Sequence, residues 1–455
     1  MPSRPIVLVH GYSDQGESFK AWQEALTQRG YDATTIHLGN YVSLSNEITI
    51  KDIAEGFERA LQNCALKDGS PFDAIVHSTG MLVLREWLAG TTNEDNEIAE
   101  RRQARLKHLI GLAPATFGSP MAHKGRSWLG AVFKGSKVPG PDFMEAGDLV
   151  LSGLELGSGY TWDLAHRDFF ADPAVYGRSA ATPYPFIFVG LRDYGALGRL
   201  ATDPGTDGTV RWAGVGFNSR KINVNLTIEP TRRQRITIEP WKNVAVPQVF
   251  LPDLNHGTIL REPSKALVDM VLEALDVASG PQYEAWAAKH CARNAAALKS
   301  RRARRWQQLI VRATDERGDG ISDYFVELGT VADRRFRRLR EFDMHVHAYS
   351  ENRSYRCFHV DLDRLKPENH KALALRVIAS SGTELVGYHG FNSDDGLDVP
   401  ARERNKWDAI IEFDASIGSK DVKFFYPYTT TLVELRMNRE PMPLNQGSHV
   451  FWFGG

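Results

Sequence analysis

The sequence predicts an α/β domain built on a mostly parallel sheet flanked by helices, followed by an all-β, sandwich-like domain. Three observations predict it. The 455-residue chain is longer than one hydrophobic core usually organises, so two domains are expected. Up to about residue 275, short apolar runs alternate with segments of helical spacing, and strands separated by helices form a parallel sheet covered on both faces. From residue 306 onward roughly seven alternating runs follow one another with turn residues between them and little helix, the pattern of a β-sandwich. The expected boundaries are therefore 1–275 for the α/β domain, 276–305 for a basic helical linker and 306–455 for the sandwich.

In chain order, Ile6 to Val9 is the first strand, Phe19 to Gln28 has helical spacing, and Asp73 to Val76 is a second apolar strand. Leu109 to Leu112, Pro185 to Val189 and Val246 to Leu251 continue the series. Between Pro114 and Tyr184 the pattern dissolves into glycine, proline and scattered large apolar residues, so an insertion at about 115–184 is expected to cap a site. From Glu262 to about Gln308 the chain reads as helical and becomes strongly basic, with Arg293, Lys299, Arg301, Arg302, Arg304 and Arg305. The later runs are Leu309 to Ala313, Tyr324 to Leu328, Met344 to Tyr349, Phe358 to Leu362, Leu373 to Ile378, Ala409 to Phe413 and Thr430 to Arg436.

A net charge of -1 gives no global attraction to nucleic acid or to an anionic membrane, and a nucleic-acid partner is not expected. The densest local charge is Arg334-Arg335-Phe336-Arg337-Arg338-Leu339-Arg340, which fits phosphate headgroups or a solvated face paired with acids. Three cysteines, Cys64, Cys291 and Cys357, stand far apart without a Cys-x-x-Cys pair, so buried free thiols are expected rather than a disulfide framework or a zinc site. His345 and His347 share a strand face but lack an evident third ligand, so no metal is expected there. The N-terminus shows no basic segment, apolar core and cleavage site in succession, and no run of about 18 apolar residues exists to span a bilayer. A cytoplasmic location is the expectation.

The chemistry concentrates at His77-Ser78-Thr79-Gly80. A strand runs into it, and the spacing of Met81, Leu82, Leu84, Trp87 and Leu88 after it is helical. A serine on a sharp strand-to-helix turn is held clear of the sheet, and the helix N-terminus behind it offers N–H groups where an oxyanion develops. His10-Gly11-Tyr12 closes the first strand, and Leu112 to Pro120 follows a later one.

These segments resemble the α/β-hydrolase superfamily, in particular its lipases and esterases, whose elbow follows Gly-x-Ser-x-Gly. Val76 stands at the first glycine position and Gly80 keeps the second. The resemblance implies an α/β-hydrolase fold, a nucleophilic Ser78 and an oxyanion hole made by the N–H groups of Tyr12 and Thr79. It also implies the chain order serine, acid, histidine. His108 sits at the wrong end of its strand, His123 and His166 fall in the insertion, and His256 follows the last strand in Pro252-Asp253-Leu254-Asn255-His256-Gly257, so His256 is the expected base. His10 and His77 precede the acid and suit positioning better than proton transfer. Two acids compete. Asp193 follows a strand as Gly190-Leu191-Arg192-Asp193, while Asp207 in Thr206-Asp207-Gly208-Thr209-Val210 resembles the Asp-Gly-x-Val element of several lipases and is favoured. Calcium-dependent lipases carry a carboxylate soon after the histidine, and Gly257-Thr258-Ile259 has none, so no metal or cofactor is expected. The activity implied is hydrolysis of carboxylic esters, most of all lipid-like ones, with contact at a membrane or lipid interface. Phospholipase and acyltransferase chemistry are adjacent, and a catalytically silent scaffold binding membrane or protein through the basic clusters is the alternative.

Overall fold

A computed structural model describes residues 4–10, 18–36, 48–63, 66, 69–90, 96–122, 148–177, 181–194, 203–228, 235–239, 245–370, 372–382, 385–391, 397–398, 406–414 and 424–441. It divides into two compact units, Met1–Asn218 with Trp241–Arg304, and Ser219–Pro240 with Arg305–Gly455.

The first unit holds strands β1 (Ile6–Val9), β2 (Ala33–Ile36), β3 (Phe72–His77), β4 (Leu106–Leu112) and β5 (Tyr184–Gly190). After the excursion β6 (Arg220–Asn225) and β7 (Ile236–Glu239), which belongs to the second unit, the chain returns as β8 (Gln248–Leu251). The sheet order is β2-β1-β3-β4-β5-β8, parallel throughout. β1, β3 and β5 are buried at every residue, as sheets covered on both faces require.

Helices α1 (Lys20–Thr27) and α2 (Ile50–Asn63) each connect two strands, and α3 (Gly80–Ala89) and α4 (Asn96–Arg105) both lie between β3 and β4. Phe57 of α2 meets Trp87 of α3 edge to face at 5.4 Å. One core joins Ile6, Leu8, Ile75, Ile110 and Phe188 of the strands to Trp22 and Leu26 of α1. It continues through Leu267 and Val271 of a helix at Lys265–Leu275. The parallel sheet with its helices and the separate β sheets agree with the predicted fold class.

The central part of the expected cap, residues 123–147, and the expected oxyanion residue Tyr12 lie outside the described residues. The later part of the insertion forms α5 (Asp148–Leu154) and α6 (Gly159–Asp168) and is bolted to the unit. Arg85 of α3 donates to both carboxylate oxygens of Asp168, at 2.7 and 2.9 Å, and to the Thr116 carbonyl at 2.6 Å. Tyr176 donates to the same carboxylate at 2.9 Å, and the Phe169 ring lies 4.0 Å from the guanidinium. Both charges are fully buried, which is tolerable because each is paired and hydrogen-bonded.

The boundaries differ from the sequence expectation in two places. Residues 276–304 belong to the first unit rather than to a linker: α7 (Thr258–Arg261), α8 (Lys265–Leu275), α9 (Gly280–Cys291) and α10 (Asn294–Ser300) follow the last strand. The reason is the aromatic face of α9, where Tyr283 and Trp286 pack edge to face on Phe186 at 5.0 and 4.7 Å and leave the basic residues outside. Residues 219–240 leave the first unit for the second.

The second unit holds a six-stranded sheet, β12-β13-β9-β18-β6-β7, a four-stranded sheet, β11-β10-β14-β17, and a three-stranded one, β16-β15-β19. The ranges are β9 Trp306–Thr314, β10 Tyr324–Ala332, β11 Arg335–Arg338, β12 Val346–Ala348, β13 Tyr355–Asp361, β14 Ala372–Ser380, β15 Val386–Phe391, β16 Leu397–Asp398, β17 Lys406–Asp414, β18 Thr430–Arg436 and β19 Asn438–Pro441. Alternate residues of the two larger sheets meet in one core: Ile222, Val311, Phe358 and Val433 from the first, Val326, Leu375, Val377 and Ile411 from the second. That is sandwich packing, with the addition that β18 runs parallel to both β6 and β9.

Candidate active site

Close packing shapes the elbow at Ser78 and Gly80. Ser78 has φ +53, a left-handed conformation that a non-glycine residue adopts only where its surroundings impose it. Ser78 is held there from both sides: its N–H donates to the Leu112 carbonyl at 3.3 Å, and its carbonyl accepts from Ala115 at 3.0 Å. Gly80 opens α3 against the end of β1, where a Cβ would come within 2.7 Å of the Val9 carbonyl oxygen and 3.2 Å of that of His10. The end of the first strand and the start of the helix therefore touch main chain to main chain. Val76 pairs in register with Gly111 of β4, and a Cβ on Gly111 would lie 2.7 Å from the Met81 side chain. Gly111 therefore makes room for the Met81 side chain at the start of α3.

Ser78, His256 and Asp207 come together at the carboxyl ends of the strands, where catalytic loops of parallel sheets lie. His256 Nε2 stands 3.1 Å from Ser78 Oγ, and His256 Nδ1 stands 2.9 Å from Asp207 Oδ2. All three side chains are buried. A carboxylate accepts hydrogen bonds, so the hydrogen of the neutral imidazole sits on Nδ1 and the lone pair on Nε2 faces the serine hydroxyl.

Each partner is fixed by its own loop. Asp207 Oδ1 accepts from the Thr209 and Val210 N–H groups at 2.9 and 2.8 Å, which aims Oδ2 at the imidazole. Gly208 has φ +103 and packs on Tyr194, where a Cβ would clash at 2.5 Å. The His256 N–H donates to the Asp207 carbonyl at 3.0 Å. Asn255 Oδ1 accepts from the N–H groups of Gly257 and Thr258, while Thr258 Oγ1 accepts from the Asn255 N–H at 2.9 Å. This reciprocal cap leads into α7, which begins two residues after the histidine. Gly190 lets the His256 loop cross β5, since a Cβ there would meet the Leu254 carbonyl at 2.6 Å.

The carboxylate hydrogen-bonded to the imidazole is that of Asp207. The other candidate, Asp193, lies three residues beyond β5 and is partly exposed. Thr79 is the residue immediately ahead of α3. His77 presents Nε2 to the main-chain oxygen of His256 at 2.9 Å, with the two rings 4.7 Å apart. Sequence reasoning had no signal for that bond, whereas the Asn255-x-x-Thr258 spacing is a readable cap. Among the described residues no group of three or more His, Cys, Asp or Glu side chains is arranged to hold a metal ion, and no helix is long and apolar enough to cross a membrane.

No protein-family model matches the chain, and no curated protein matches it in sequence. Among solved structures it is similar to phospholipase PlaB from Legionella pneumophila, with a TM-score of 0.75 at 22% identity over 100% of this chain and 98% of that one. The same phospholipase in complex with thio-NAD matches with a TM-score of 0.74 at 21% identity, over 99% and 97% of the two chains. At that identity the likeness establishes the architecture: an α/β-hydrolase fold with an additional β domain.

Proposed function

We propose, from an α/β-hydrolase fold carrying an added β domain, that the protein is a serine hydrolase of carboxylic esters acting on lipid-like substrates. The observation that carries the reading is the buried chain from Asp207 Oδ2 through His256 to Ser78 Oγ, with links of 2.9 and 3.1 Å, on a serine held at φ +53. An unperturbed hydroxyl is a poor nucleophile, and an imidazole within reach, oriented by a carboxylate, is what activates it.

In this reading Ser78 Oγ attacks the acyl carbon as its proton passes to His256 Nε2. Asp207 holds the imidazole in the required tautomer and stabilises the imidazolium. The tetrahedral oxyanion rests on the N–H groups of Thr79 and Tyr12. When the intermediate collapses, the C–O bond of the ester breaks and His256 returns the proton to the departing alcohol. Water, deprotonated by His256, then releases the acid from the acyl-enzyme. The fold likeness to a phospholipase supports the lipid-like substrate class of this reading.

The surface that meets lipid in this reading is the hairpin of β10 and β11. Its turn residues Asp333 and Arg334 both have positive φ, the two-residue turn that suits strand twist. Arg334, Arg335, Arg337 and Arg340 are exposed, while Arg338 pairs with Glu327 and Asp343.

Replacement Ser78→Ala tests the chemistry. Turnover of a short p-nitrophenyl ester and labelling by an active-site phosphonate are both expected to vanish with the fold intact. Retained turnover, or a wild-type serine that never labels, would refute the reading, and the second result would favour the silent scaffold. Product analysis with a competing alcohol separates hydrolase from acyltransferase.

A further inference from the structure

A second imidazole is built into the back of the site. His77 ends β3 one residue before the nucleophile and is almost completely buried. Its Nε2 lies 2.9 Å from the main-chain oxygen of His256, and a carbonyl oxygen only accepts, so Nε2 carries the hydrogen. The backbone of His256 is thus tied at both polar atoms, its N–H to the Asp207 carbonyl at 3.0 Å and its carbonyl to His77. The rings also touch, 4.7 Å between centroids with planes 51° apart, so the same side chain limits how the His256 ring can tilt. His77 thus acts on the base through its backbone and ring and makes no contact with the substrate's reacting atoms in this reading.

We propose that His77 is a positioning residue for ester hydrolysis, one that sets where Nε2 of His256 stands relative to Ser78 Oγ through the His256 carbonyl. The inference rests on the triad reading above. Its logic is geometric: His77 is the residue before the strained Ser78, so a bond from His77 to the His256 loop ties the backbone of the base to the backbone of the nucleophile. A misplacement on the order of 1 Å in such an arrangement costs about a hundredfold in rate.

The charge state supports the role. Burial, followed by the charges of His256, His10 and Arg261, holds His77 well below the ordinary histidine range. These neighbours lie at the end of β1, in the loop before α7 and on α7, and all are bases. When His256 takes the serine proton it becomes an imidazolium, and a charged ring 4.7 Å away would oppose it. An uncharged donor supplies the hydrogen bond without that opposition.

The experiment compares His77→Phe, which keeps an aromatic ring, though a somewhat larger one, and loses the donor, with His77→Gln, whose amide N–H can reach the same carbonyl. Steady-state kinetics use a soluble p-nitrophenyl ester, with Ser78→Ala as the blank. Expected for His77→Phe is a fall in kcat on the order of ten- to a hundredfold with KM within about twofold, and His77→Gln recovers most of the loss. A His77→Phe enzyme with wild-type kcat, or His77→Gln as slow as His77→Phe, overturns the proposal. Should His77→Phe not fold, His77→Asn, too short to reach the carbonyl, takes its place against His77→Gln with the same expectations. Activity surviving in the Ser78→Ala blank would instead overturn the triad, so the two failures are told apart.

Discussion

Individual atoms favour Asp207 over Asp193 as the acid of the proposed triad. Asp207 spends one oxygen on two backbone N–H groups and directs the other to His256 Nδ1 at 2.9 Å. Replacing it with Asn removes the acceptor that keeps hydrogen on Nδ1 and offers an amide that can hold the wrong tautomer, so Asp207→Asn is expected to lower kcat by about 10⁴-fold. Asp193→Asn is expected to stay within about threefold, since removing a carboxylate outside the chain leaves the tautomer intact. Parallel kcat measurements on the two variants check this, and an equal loss in both would reopen the assignment. The buried His77 has a consequence for acid stability. Its folded pKa is well below the ordinary histidine range, so below about pH 6.5 the unfolded chain binds a proton that the folded chain refuses, and stability falls as pH drops. His77→Phe removes this contribution. The difference in Tm between wild type and His77→Phe is therefore expected to narrow from pH 7 to pH 5, and a difference constant with pH would contradict it.

At the scale of elements, the β10–β11 hairpin carries the clearest expectation. A basic residue near an anionic bilayer contributes about 1 kcal/mol, so replacing Arg334, Arg335 and Arg337 with Ser is expected to weaken sedimentation with phosphatidylglycerol vesicles about a hundredfold. Binding to phosphatidylcholine vesicles and turnover of a soluble ester are expected to be unchanged, and unaltered binding to anionic vesicles would remove the hairpin from the lipid contact. Why some elements can be read from the sequence and others cannot is also visible here. The β3–Ser78–α3 turn is legible because its signals are local: an apolar run, a small-residue turn and a helical stripe of Met81, Leu84 and Leu88 within a few residues. The same locality exposes β9, β13, β14 and β18, whose apolar residues alternate. β6 is different. Arg220-Lys221-Ile222-Asn223-Val224-Asn225 buries its apolar positions, but its parallel partner β18 lies about 200 residues later, and no local pattern reports a pairing that distant. α9 misleads for the opposite reason: its neighbouring basic residues dominate the composition, while two aromatic residues three apart decide its packing.

For the whole molecule, the crossing of residues 219–240 into the second unit means that the two units are not successive beads. β6 inserts between β7 and β18, and β18 in turn stands beside β9; the sandwich core includes Ile222, Val224 and Leu226. A chain cut after Arg304 therefore keeps the residues proposed for chemistry, yet it loses β9 and β18 and leaves β6 with an unpaired parallel edge and an uncovered apolar face. Exposed strand edges of this kind seek other chains. The expectation is that residues 1–304 elute from a size-exclusion column as soluble aggregate or remain insoluble. A second version, in which 219–240 is replaced by a short Gly/Ser loop joining Asn218 to Trp241, should elute as a discrete species that reacts with an active-site phosphonate at Ser78. The Asn218 side chain already brackets that junction, donating to the Val246 carbonyl and accepting from its N–H at 2.8 Å each, so the excision closes a gap whose near end is anchored. If 1–304 without excision is instead monodisperse and labels fully, the paired edge contributes nothing to the first unit and the units fold independently despite sharing the chain.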